Sequence, residues 1–407
     1  MDANTGGAQD ASVEFVIRLA RALHNYGTPT HQIEDTLETI AARIGINARF
    51  LATPTSIMIS AGPTLDERVH LLRVEPGEQD LGRLSGVHDV ARGIAKGELT
   101  PEAGSAWLAA IETAPPPYRG MIRVGAMGLS SAAAARFLAG GSREILVAGV
   151  IGLVIGVLAY LGERRGAMNR LYEPLSAFTA SVLAAIAARA FDPVSVYLVT
   201  LAGIIILIPG FTSTVAVTEL SNRHLVAGTA RLFGAFTTLV VLAIGVAIGG
   251  TLMTTILGAA PPTEPIALPE WTLAIALLAA PLGFAVLLKA QPRDIPWIVI
   301  ACGLGFAGTR LGGLILGPEL GVFIGAVVVG LAGSVYGNVL RRPASVLRVP
   351  GILLLVPGSI GFRGLTALLD RQVVPGVETA FRMITIAVAL AAGLLIASVV
   401  APSKITK

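Results

Sequence analysis

The spacing of hydrophobic positions changes once along the chain, at a run of three prolines, and the change divides it into two regions. Before the prolines, apolar residues recur at helical spacing among polar ones. Phe15, Val16, Leu19, Ala20 and Leu23 mark an amphipathic helix ended by Gly27, and Ile33, Leu37, Ile40, Ala41 and Ile44 a second, ended by Gly45. Thr28 stands where that second helix needs a cap, with Pro29 at its first position. Phe50 to Ser60, rich in Thr, Ile and Phe, predicts a strand. His70 to Val74 predicts another, reached through Gly62 and Pro63. Helices follow at 81–96 and 101–113, and Pro115, Pro116 and Pro117 close a small α+β domain over 13–119, preceded by a polar, disordered tail at 1–12.

Beyond the prolines the apolar runs lengthen to about 20 residues, the length of a membrane-crossing helix. Ten such runs fall near 121–139, 144–162, 171–191, 194–218, 225–257, 270–289, 295–312, 316–338, 344–369 and 378–401. A break at 259–269, without Lys or Arg, separates five spans in 120–258 from five in 270–402. The predicted fold class is therefore an α-helical integral membrane protein of about ten transmembrane helices in two five-helix repeats, behind a small α+β cytosolic domain. Composition agrees: of 407 residues 54% are hydrophobic and 14% charged, outside the range of soluble domains. Mean hydropathy is +0.74.

Net charge is +4, and here scattered Arg reads as a topology signal rather than as a nucleic-acid footprint. With the α+β domain inside, Arg164, Arg165, Arg170, Arg223, Lys289, Arg293, Arg341, Arg342, Lys404 and Lys407 lie on the cytosolic side, and Arg143, Arg310 and Arg371 outside. Both termini are then expected on the cytosolic side. No basic segment followed by an apolar one opens the chain, so no cleaved signal peptide is expected. Cys302, the single cysteine, sits in an apolar Gly-rich run as a packing residue.

The halves carry an internal duplication. Pro193, Val194, Ser195 and Val196 lead to Pro209 and Gly210; Pro343, Ala344, Ser345 and Val346 lead to Pro357 and Gly358. Matched broken helices in two repeats point to a carrier's substrate site, and an odd number of spans per repeat inverts the second against the first. A broken helix frees backbone groups that lipid cannot satisfy. The N–H groups after Gly210 and Gly358 would suit a carboxylate, and the carbonyls before each break an ammonium. Thr212, Ser213 and Thr214 offer hydroxyls to a substrate hydroxyl, or bond back to their own helix. Ser359 and Arg363 follow the second break, where Arg363 could clamp a carboxylate or merely extend to an interface.

Two stretches of the soluble region, Leu23 to Glu34 (LHNYGTPTHQIE) and Pro54 to Ser60 (PTSIMIS), are joined by membrane segments Ile208 to Phe211 (IPGF) running to Glu219, Ala227 to Arg231 (AGTAR) and Val356 to Ser359 (VPGS). In order and spacing these resemble the threonine/serine exporter family, over about Val13 to Ala401. The resemblance implies export of small hydroxy amino acids across a bacterial cytoplasmic (inner) membrane, driven by the proton motive force; neither a cofactor nor catalysis is expected. In some bacteria the family is split into two polypeptides linked to dicarboxylate export; here both parts are fused. Proton coupling calls for a group that changes protonation, with Glu219, His224, Glu173, Glu319 and Glu378 as candidates. Glu219 leads, because it lies in a matching segment after a broken helix, with Arg231 across the next turn; Glu378 and Arg382 begin the last span. The partners expected are a small polar solute, the proton, the lipid bilayer and, compatibly, further copies of the chain. A succinate-like dicarboxylate carrier, and a membrane-anchored enzyme or sensor working through the soluble domain, stay open as alternatives. Against an enzyme, His24, His31, Glu34 and Asp35 cluster in sequence without a metal-binding or phosphate-binding motif.

Overall fold

The computed structural model describes residues 3–62, 67–164, 171–191, 193–259, 261 and 263–402. Arg165, Arg170, Lys404 and Lys407 of the charge tally, and Pro63 of the strand connection, lie outside them. The soluble region holds α1 (Ala3–Asn25), α2 (Thr30–Ile44), β1 (Ala48–Ala52), β2 (Ser56–Ala61), β3 (Arg68–Arg73), α3 (Leu81–Lys96) and α4 (Pro101–Thr113). Helix α1 begins at Ala3, within the stretch read as a tail. Phe15, Leu19 and Leu23 of α1 meet Ile33, Leu37 and Ile40 of α2 and the inward residues Ile57 and Ile59 of β2 in one core.

Two local expectations need correction. The single strand at 50–60 is a hairpin, and β1-β2-β3 form an antiparallel sheet in sequence order. Pro54 has no N–H for a ladder, and Thr53 and Ser56 close the turn through their hydroxyls, 2.8 Å apart. Thr28 does not cap α2: the residue before the helix is Pro29, without a side-chain cap, and the buried Thr28 hydroxyl has no partner.

The membrane region is built from α5 (Met121–Phe137), α6 (Ser142–Arg164), α7 (Tyr172–Ala190), the half-helices α8 (Val196–Gly203) and α9 (Gly210–Ser221), and α10 (Leu225–Leu257). It continues with α11 (Thr272–Leu287), α12 (Ile295–Leu316), α13 (Pro318–Leu340), the half-helices α14 (Ser345–Leu355) and α15 (Gly358–Leu369), and α16 (Val373–Val400). Every expected span thus coincides with helix. Among the described residues, however, six are long and apolar enough to cross a membrane, seven if α8 and α9, bent by 51°, make one crossing. Helices α5 and α11 have 17 and 16 residues, about 25 Å, short of a hydrocarbon core of about 30 Å. Arg136 of α5, 8% exposed, donates to the Thr272 hydroxyl at 2.6 Å and to the Pro269 carbonyl at 3.3 Å, joining the first half to the start of the second.

Packing repeats between the halves. Helix α7 lies on α10 as α13 lies on α16, and α6 and α7 meet α8 as α12 and α13 meet α14. The resumed half-helices bridge the halves: α9 touches α16 as well as its own neighbour α10, and α15 touches α10 as well as its own neighbour α16.

The soluble domain docks on this assembly through helix N-termini, whose first amides have no partner of their own. The N–H groups of Leu81 and Gly82, opening α3, donate to the carbonyls of Leu288 and Lys289, just past α11, at 2.9 and 3.1 Å. Lys289 adds an ion pair to Glu78 at 3.0 Å, and Arg92 of α3 donates to the Arg341 carbonyl. Lys289 and Arg341 therefore sit on the same side as the soluble domain, as the charge tally expects.

Candidate functional site

The two breaks meet. Helix α8 passes through a 3-10 turn (Ile205–Leu207) and an extended Ile208 before α9 resumes at Gly210; α14 ends at an extended Val356 before α15 resumes at Gly358. A Cβ on Gly210 would lie 2.0 Å from Val356 Cγ1 and 3.0 Å from the Gly358 Cα. One on Gly358 would lie 2.9 Å from Ile208 Cγ2 and 3.2 Å from the Gly210 Cα. Only glycine permits two interrupted backbones to come this close. The spatial convergence of segments about 150 residues apart gives the duplication a common centre.

On the resumed turn the Ser213 hydroxyl donates to the Pro209 carbonyl at 2.8 Å and the Thr214 hydroxyl to the Gly210 carbonyl at 3.1 Å. Both therefore bond back along α9, leaving their oxygen lone pairs for any further contact. Thr212 and Ser359 are half-buried beside the breaks. Arg363 is not beside them: it is exposed and lies over the Tyr197 ring, 5.9 Å from its centroid.

Glu219, one and a half turns beyond Thr214, is fully buried at 0% exposure. Arg231 of α10 donates from Nε to both carboxylate oxygens, at 3.1 and 3.0 Å. From the soluble domain, the Thr30 N–H donates to Oε1 at 3.0 Å and the Thr30 hydroxyl to the same oxygen at 2.9 Å. The positive end of α2 thus rests on a membrane carboxylate, which supplies the cap that Thr28 does not. Around this contact the His31 and His224 rings lie 6.0 Å apart, and His224 Nδ1 is 3.6 Å from Glu34 Oε2. Desolvation at this boundary lowers the pKa of His24 and His31 and raises that of Glu34, so neutral forms are favoured. At the far end of the assembly, Arg382 pairs with Glu319 at 2.8 Å rather than with the exposed Glu378.

Next to the Glu219 contact, a cavity of about 420 Å³ separates the two bodies. Its soluble wall includes His31, Asp35 and His88; its membrane wall includes Thr214, Thr218, Ser345 and Arg348. Burial holds the half-buried His88 imidazole down to about 4, with Arg92 adding to the effect. Arg348 is the residue that sequence reasoning passed over. The signal was present, since it is a cation four positions into the apolar run of α14, where a charge calls for a functional explanation. The predicted residues therefore separate into four places: the paired breaks, the Glu219 contact with the adjoining cavity, the Tyr197 face that holds Arg363, and the Arg382–Glu319 pair.

A family profile described as "Putative threonine/serine exporter" matches residues 14–253, and another, "Threonine/Serine exporter, ThrE", matches residues 273–400. A pheromone-regulated membrane protein 10 of Eremothecium gossypii is 28% identical over 341 residues, 80% of this chain and 45% of its own length. Its namesake in Debaryomyces hansenii is 27% identical over 344 residues, 80% of this chain and 33% of its own length. An uncharacterized protein of Schizosaccharomyces pombe is 28% identical over 251 residues, 59% and 32% of the two chains. The chain spans from about a third to somewhat under half of the length of these curated relatives. No solved structure matches it.

Proposed function

The chain belongs to the threonine/serine exporter family, and from that premise we propose that it is a secondary active exporter of small polar amino acids, threonine and serine first. In this reading, two inverted repeats of five membrane elements rock about the paired breaks at Pro209, Gly210, Pro357 and Gly358. Thr212, Ser213, Thr214 and Ser359 line the path next to them, and Arg363 awaits solute at one mouth. The observation that carries the proposal is the contact of the two breaks, supported by the repeated packing and by the contacts that α9 and α15 each make with the other half. A hinge that serves both halves belongs where their interrupted backbones meet.

Proton coupling falls to Glu219, a membrane carboxylate held between Arg231 and the soluble domain. Protonating it would weaken both contacts at once, tying a charge change to the seating of α2. Arg382 with Glu319, and Glu378 beside them, form the corresponding charged group of the second half. The orientation proposed places the soluble domain, both chain ends and the Lys289 and Arg341 surface in the cytosol, in a bacterial inner membrane.

The test is counterflow in proteoliposomes loaded with radiolabelled threonine, serine or succinate. The expected result is exchange of threonine or serine, lost in Gly358→Val. Exchange of succinate alone would move the assignment to a dicarboxylate carrier. Exchange of none of the three would remove the carrier reading.

A further inference from the structure

Arg348 is a charged residue in a membrane half-helix, yet no carboxylate lies within ion-pairing distance of it among the described residues. Such a charge is costly in an apolar segment unless something answers it. Its guanidinium donates from Nη2 to the Ser334 hydroxyl at 2.7 Å and from Nε to the Gly330 carbonyl at 3.4 Å. Five N–H groups are available to an arginine, so both bonds leave donors free on a residue that lines the cavity. The duplication sharpens the point. Arg348 stands five residues after Pro343, and the position five after Pro193 in the first half is Leu198, a buried core residue. Packing alone does not demand a cation there.

Two more groups on the cavity lack partners. The Ser345 hydroxyl and His31 Nδ1 are both buried without a hydrogen bond. Buried polar atoms are nearly always satisfied, and these two belong to residues that line one space, which suits an occupant able to bond them. Across the boundary Asp35 of α2 reaches the same cavity, and it has no ion pair among the described residues. A volume of about 420 Å³ lies in the range of small-solute pockets, which run from about 300 to 1,000 Å³.

We infer that this cavity is a binding site shared between the two bodies, for a small solute carrying a carboxylate and an ammonium together: Arg348 holds the carboxylate from the membrane half and Asp35 the ammonium from the soluble domain. Ser345 and His31 are left to bond the solute's remaining polar atoms. The soluble domain is then half of the binding site rather than an appendage to it. At neutral pH the imidazoles of His31 and His88 are uncharged, because desolvation opposes their protonation. A dicarboxylate would meet a single full cation and one repelling carboxylate. The inference rests on the export reading only in taking the bound solute for cargo, and binding is measurable without transport.

The experiment uses the full chain in detergent micelles with radiolabelled L-threonine. Saturable binding is expected, weakened at least tenfold in both Arg348→Gln and Asp35→Asn and unchanged in Arg310→Gln at a distant exposed pair. L-Threoninol, which lacks the carboxylate, and succinate, which lacks the ammonium, should compete at least tenfold less well than L-serine. Because an Arg348 variant could fail to fold, a second measurement stands apart from it. Ser345→Cys places a thiol on the cavity while the native Cys302 is fully buried, and L-threonine should slow its maleimide labelling severalfold. Unchanged binding in both charge variants, or no protection of Ser345→Cys by threonine, would overturn the inference. Counterflow that survives both charge variants sinks this site and leaves the export reading intact. Binding and protection without counterflow keep the site and sink the export reading.

Discussion

Glu219 is a carboxylate with no access to water, answered from two directions: by a guanidinium one helix away and by an amide and hydroxyl from another domain. Removing one member of a buried pair leaves the other unsolvated, which costs about 3–5 kcal/mol, whereas removing both costs much less. Arg231, with 18% of its side chain exposed, recovers a little of that through water. Glu219→Gln is therefore expected to lower the melting temperature of the detergent-solubilised protein clearly. The double variant Glu219→Gln, Arg231→Gln should lie well above the sum of the two single losses. Additive losses in that cycle would show that the pair contributes nothing as a pair. At this scale the sequence was informative in an uneven way. Glu219 and Arg231 were legible because both are charged and sit in distinctive segments. Thr30 was not, because its role arises from a carboxylate 189 positions away, and Thr28 was the nearer and conventional cap. Arg348 carried the clearest of signals, a cation in an apolar run, but the Pro357-Gly358 pair drew attention to the backbone instead.

At the scale of elements, periodicity and helix-breaking residues located nearly every helix, since these depend on neighbours within a few positions. The boundaries of α3 and α4 coincide with their predicted ranges. What local pattern could not convey was how half-helices are shared. The bridging of the halves by α9 and α15 and the contact of Gly210 with Gly358 depend on segments from opposite halves. That contact makes a specific prediction. The nearest atom to a Cβ at Gly210 is Val356 Cγ1, at 2.0 Å, a side-chain atom that substitution can remove. Gly210→Ala is expected to destabilise by about 1–3 kcal/mol, the usual range for overpacking. Adding Val356→Ala should recover a large part of it, leaving the milder approach to the Gly358 Cα at 3.0 Å. Melting temperatures of the three variants check this. A double variant as unstable as Gly210→Ala would mean that the breaks do not meet through these atoms.

Across the whole molecule, the boundary between soluble and membrane bodies is the place where pH acts on structure. His24, His31 and His88 all have folded-state pKa values below the ordinary 6.5, His88 down to about 4, chiefly through desolvation. Arg231 adds to the lowering at His24 and His31, and Arg92 at His88, while Glu219 and, at His31, Asp35 oppose it without reversing it. The sign follows from proton linkage. Below about pH 6.5 the unfolded chain takes up protons at these positions that the folded protein refuses, so stability falls as pH drops through that window. Glu34 acts in the other sense: its raised pKa gives stability that is full below 4.5 and is lost as pH rises through the folded value. Three imidazoles against one carboxyl leave acid destabilisation as the net result between about pH 6.5 and 5. The melting temperature of the full chain should therefore be several degrees lower at pH 5 than at pH 7.5. In His88→Asn the difference should shrink, because the most strongly displaced group of the three no longer titrates. His88 sits on α3, whose first amides grip α11 through Leu288 and Lys289, so the loss should begin at the domain boundary. Hydrogen exchange at pH 5 is expected to quicken first in the opening turns of α2 and α3, while the amides of α12 and α13 stay protected. Uniform quickening along the chain, or a melting temperature indifferent to pH in both proteins, would mean that these buried imidazoles do not govern how the two bodies hold together.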